Sequence, residues 1–96
     1  MEILWTEEAL DDLASIIAYY SEELSPAIAE SIGARIVEHI EALPPFPDRA
    51  RKSERTPGTR ELLIARLPFI AFFKRKNDKL IVLNIVHTAR NFPSSN

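Results

Sequence analysis

The chain has 96 residues, a length for one domain spanning 1–96, since a second would need roughly 50 residues more. Apolar residues make up 46%, charged residues 27%, and glycine occupies two positions; this excludes a mainly disordered chain, and no apolar run reaches the ~18–20 residues of a bilayer span. Cys is absent, which excludes disulfides and thiol chemistry, and the start of the chain shows no basic stretch or cleavage site, so a cytoplasmic protein with no membrane partner is expected.

The net charge of −2 conceals two opposite halves. Residues 1–44 hold ten acids against Arg35, a net −9, and residues 45–96 hold eleven bases against four acids, a net +7. Such a chain can turn a basic surface toward an anionic partner, or it can carry two merely solvated faces.

Residues 1–5 (MEILW) read as a short strand. Thr6 fits an N-cap, with Glu7 and Glu8 in the first helical turn where carboxylates meet the positive helix end. Ala9, Leu10, Leu13, Ala14, Ile16, Ile17 and Tyr20 then recur at helical spacing, which predicts an amphipathic helix over about 7–23. Ser25-Pro26 starts a second helix, whose Ile28, Ile32, Ile36 and Ile40 recur every four residues until Pro44-Pro45 stops it. With only Leu24-Ser25 between them, the two helices are expected to form an antiparallel hairpin.

Residues 44–59, with four Pro, a Gly and the charged run 48–55, read as a surface loop. Strands are expected over about 60–67, 68–75 and 80–87, with Lys76-Asn77-Asp78-Lys79 as a hairpin turn. The order β-α-α-β-β-β predicts a two-layer α+β fold, a helical hairpin on a mostly antiparallel four-stranded sheet. On the last strand Asn84 shares its alternation with Leu80, Val82 and Val86, so that set is expected to face away from the helices, and Ile81, Leu83, Ile85 and His87 toward them. The outward set is apolar enough to meet a partner.

Three segments carry a resemblance that spans nearly the whole chain. They are WTEEALDDLASIIAYY, then PGTRELLIARLPFIAFFKRKNDKLIVLNIVH with its Gly-x-Arg-Glu step into the paired strands, and the closing HTARNFP. In this order and spacing they resemble the RelE/ParE superfamily of toxins from type II toxin–antitoxin systems. The resemblance implies a growth inhibitor neutralised by a cognate antitoxin protein, of the kind associated with plasmid stabilisation, and it allows a heterotetramer with that antitoxin. Two activities occur in the superfamily: ParE-like members poison DNA gyrase, and RelE-like members are mRNA interferases, ribosome-dependent endoribonucleases.

For the ribonuclease arm, the matching catalytic candidates are His87, Arg60 and Arg66, which would move protons and neutralise charge at a phosphate. Arg60, Lys74 and Arg90 are the candidates for target contact, and Val82, Val86 and Arg66 for antitoxin contact. The chain departs from the ribonuclease pattern in its net acidity and in having Phe92 but no Tyr near its C-terminal end. It therefore reads as ParE-like, an inhibitor without catalysis of its own, with the ribonuclease as the alternative. No cofactor or metal is expected: Asp11/Asp12 and Glu22/Glu23 are sequence neighbours on a helix and do not face each other. His87 is expected at the strand end on the helix side. Trp5, Tyr19 and Tyr20 are expected as packing, His39 at the surface, and Arg49, Arg51, Lys52 and Arg55 as a solvated charge run.

Overall fold

A computed structural model of the chain describes residues 2–43, 50–54 and 57–88. Strand β1 (Glu2–Trp5) leads into α1 (Glu7–Glu23) and α2 (Pro26–Glu41), followed by β2 (Arg51–Lys52), β3 (Arg60–Leu63), β4 (Phe69–Lys76) and β5 (Lys79–His87). The helical hairpin packs on a five-stranded sheet of order β1-β5-β4-β3-β2, in which β1 runs parallel to β5 and the other pairs are antiparallel. The fold is the expected two-layer α+β arrangement with one strand more than expected. That strand, β2, is two charged residues long within the presumed loop, so neither length nor apolar alternation marks it in the sequence. It is held by pairing to β3, with Ser53 N–H donating to the Thr59 carbonyl at 2.9 Å across a turn where Gly58 has φ +87°.

The helix starts follow from their caps. The Thr6 hydroxyl accepts from Ala9 N–H at 3.1 Å and donates to the Leu83 carbonyl at 2.8 Å, so one side chain both caps α1 and ties it to β5. Ser25 accepts from Ile28 N–H at 3.1 Å and Pro26 occupies the first turn of α2. Along α2 the isoleucines do not stay on one face. Ile36 and Ile40 are buried and Ile32 is partly so, but Ile28 is 46% exposed. A four-residue step overshoots a 3.6-residue turn by about 40°, so the row drifts around the helix. Ala29 and Gly33 fill the buried face in its place. At Gly33 the helices come so close that an added Cβ would lie 2.8 Å from Ile17 Cδ1.

The face assignment of β5 requires correction. The register between β4 and β5 shifts between Phe72 and Phe73, which pair with Asn84 and Val82, so Leu83 is an extra residue in β5. An extra residue resets the two-residue alternation. Leu80 and Val82 therefore point into the core, each 1% exposed, while Ile85 and His87 beyond the bulge also face the helices. The core layer joins Ile36, Ile40, Ile64, Phe69, Ala71, Val82 and Ile85, with Leu43, Phe73 and Leu80 as a neighbouring cluster. Ile81, paired with Leu4 and Lys74, falls instead on the outer face, with Ile70 and Val86. That face is apolar as expected, but with different residues. Among the described residues no helix is long and apolar enough to cross a membrane.

Candidate functional site

The sheet has two chemically different ends. At the β4–β5 turn, where Asn77 takes a positive φ of 57°, Lys74, Arg75, Lys76 and Lys79 are all exposed. Lys79 Nζ lies 3.9 Å from Glu2 Oε1, a surface pairing of little energetic consequence. Only Lys74 of this group was singled out by sequence; the other three look like ordinary turn-flanking charges until the hairpin gathers them.

At the other end, β5 finishes beside the start of β4 under α1. β1 stops at Trp5, which leaves the adjoining edge of β5 without a strand. Helix α1 supplies the missing partners: Thr6 N–H donates to the Val82 carbonyl at 3.1 Å, and Asp12 Oδ2 accepts from Ile85 N–H at 2.9 Å. Asp12 is thus a positioning group that pairing arguments on one helix could not reveal, because its partner is 73 residues away. Its immediate neighbours include a cleft of ≈ 200 Å³ lined by Ser15, Ile16, Tyr19, Tyr20, Phe69 and His87. His87 meets the Phe69 ring at 5.4 Å and 87°, Phe69 meets Tyr20 at 6.3 Å, and Tyr20 meets Tyr19 at 5.1 Å. His87 is therefore on the helix side of the sheet, as its position suggested. Trp5 and Tyr20 pack on the core. Tyr19 is 50% exposed and lines the cleft, so it is not simple packing.

The remaining candidates are dispersed. Arg60 pairs with Phe73 on the inner face, and its guanidinium donates to the Ala50 carbonyl at 2.7 Å, tying the chain before β2 to β3. Lys74, one register position further, falls on the outer face. Arg66 sits in the β3–β4 turn with φ +68°, exposed, in a conformation for which glycine would be the sequence signal. His87 pairs with Phe69, four residues along β4 from the partner of Arg60, or about 13 Å at the usual strand rise. Arg90, Arg49, Arg55 and Phe92 lie outside the described residues. Val86 is on the outer face, half-buried, but Val82 is in the core and offers no surface for antitoxin contact.

In the intended charge run, Arg51 reaches Glu61 Oε1 at 3.3 Å, where the carboxylate is 7% exposed and the guanidinium 80%. Arg51 is thus the counter-ion of a buried acid and not only a solvated charge. His39 is half-buried, with Nδ1 placed to donate to the Arg35 carbonyl at 3.0 Å. Among the described residues no three His, Asp or Glu side chains gather as a metal site.

No curated protein matches the chain in sequence. Among solved structures, the chromosomal ParDE toxin–antitoxin system from P. aeruginosa matches with a TM-score of 0.84 at 31% identity, over 91% of this chain and 95% of that one. The intact E. coli RelBE toxin–antitoxin complex matches with a TM-score of 0.57 at 14% identity, over 93% of this chain and 98% of that one. The isolated E. coli RelE toxin gives 0.56 at 13%, over 98% of this chain and 90% of that one. These two share the fold, and their identities carry nothing further. The profile of the ParE toxin of type II toxin–antitoxin systems, parDE, matches residues 3–92. The chain belongs to the ParE toxin family of type II toxin–antitoxin systems.

Proposed function

We propose that the chain is a growth-inhibiting toxin that acts in the cytoplasm by binding DNA gyrase, without catalysis of its own, and that a cognate antitoxin neutralises it. The observation that carries this reading is the dispersal of the ribonuclease candidates. Cleavage by 2′-OH attack needs a proton-transfer group and cations around one phosphate. Here His87 meets Phe69 edge-to-face under α1, Arg60 is engaged by the Ala50 carbonyl, and Lys74 is on the opposite face. A binding inhibitor needs no such convergence.

The antitoxin site is assigned to the outer sheet face, where Ile81 and Val86 with Ile70 replace the expected Val82. Leu4 and Leu63, 38% and 61% exposed, extend the apolar area. Lys74 and Arg66 supply flanking charge for an acidic, partly helical segment that orders on binding. Inducing the chain alone tests the proposal: the expected outcome is a DNA damage response with bulk messenger RNA intact. Codon-phased cleavage of messenger RNA on translating ribosomes would overturn it.

A further inference from the structure

The cleft under α1 has walls whose chemistry the gyrase and antitoxin proposals do not use. Tyr19, Tyr20, Phe69 and His87 meet in an unbroken edge-to-face series, with interplanar angles of 83°, 85° and 87°. Tyr19, half-exposed, and the partly buried Tyr20 bring aromatic surface to the opening, and aromatic faces attract cations. Asp12 lines the same cleft, held in place by Ile85 N–H. The helix above it carries Glu7, Glu8, Asp11, Asp12, Glu22 and Glu23 and not one base. A phosphate or carboxylate would meet this field unfavourably. The volume of ≈ 200 Å³ suits one long side chain and is below the usual size of a drug-like or nucleotide site.

We propose that this cleft seats the guanidinium of a single arginine side chain presented by a partner protein, stacked on the tyrosine rings and facing the Asp12 carboxylate. Arginine suits it best among the cationic residues, because its planar group stacks on aromatic faces and its fork matches a carboxylate. The inference does not depend on which partner presents the arginine, nor on the chain being toxic.

The test uses the full chain and N-acetyl-arginine methylamide, followed by amide chemical shifts, with the norleucine and glutamate analogues as controls. The expected result is a saturable shift confined to residues of α1 around 12–20 and to the strand ends around 69 and 85–87, with neither control saturating. Tyr19→Ala, at a half-exposed position, should weaken binding about two- to fivefold. Asp12→Asn keeps an oxygen to accept from Ile85 N–H while removing the charge, and should weaken it by a similar factor of about two to five. No saturable shift, equal binding of the norleucine or glutamate probe, or wild-type affinity in Tyr19→Ala would overturn the proposal.

Discussion

The two faces of β5 differ little in sequence and greatly in fate. On the inner face, Leu80 and Val82 are 1% exposed and Ile85 4%, covered by the helices. On the outer face, Ile81 and Val86 are only half-buried and lie beside Ile70 and Lys74. Both faces are apolar, so hydrophobicity alone does not say which one holds the fold together. The bulge at Leu83 decides it, by placing Val82 with the core and Ile81 outside. An apolar inner face is a requirement of folding; an apolar outer face is not, and it is the surface proposed above for the antitoxin.

The sharpest way to break this comparison is to put the same charge on each face. Val82→Asp would bury an unpaired carboxylate and should cost more than about 4 kcal/mol, enough to abolish cooperative unfolding. Val86→Asp should leave a cooperative thermal transition and abolish antitoxin binding. A folded Val82→Asp would return Val82 to the outer surface. Next in size, Phe73→Ala, at 2% exposure, should cost about 3–5 kcal/mol in urea unfolding. Leu63→Ala, at 61% exposure, should stay within about 0.5 kcal/mol.

The helix layer offers the same contrast on a smaller scale. Ile36→Ala should cost about 2–5 kcal/mol and Ile32→Ala less, whereas Ile28→Ala, on the exposed turn, should be nearly neutral. Equal losses at Ile28 and Ile36 would contradict the drift of the stripe. An effect between these extremes is expected at Thr6. Thr6→Ala removes the α1 cap and the bond to the Leu83 carbonyl, and should lower stability by about 1–2 kcal/mol while Thr6→Ser retains most of it.

These contrasts also mark what was legible in the sequence. Both helices, with their caps at Thr6 and Ser25, are local signals, and the structure places them at the expected residues. So is the turn at Asn77, whose side chain tolerates positive φ. The bulge was not legible, because Leu83 is chemically equivalent to its apolar neighbours and the register depends on the partner strand. The β2 pairing and the Asp12 bond to Ile85 were hidden for the same reason: each is a contact between distant residues with no local periodicity. His87 was placed on the correct side because it lies beyond the bulge, where the alternation again coincides with the simple count. The candidate site was legible as a set of residue types and not as a geometry. Arg60, Lys74 and His87 were singled out by residue type, but the sheet distributes them over two faces and about 13 Å of strand.

The proposed inhibition acts by binding gyrase and not by acid–base chemistry at His87. It is tested most directly by DNA supercoiling with purified gyrase and either the wild-type chain or His87→Gln, each shown by its thermal transition to be folded. Both are expected to stall supercoiling to within about twofold of each other, while Arg60→Glu is weaker. Full supercoiling in the presence of the wild-type chain, together with ribosome-dependent messenger RNA cleavage that His87→Gln abolishes, would contradict it.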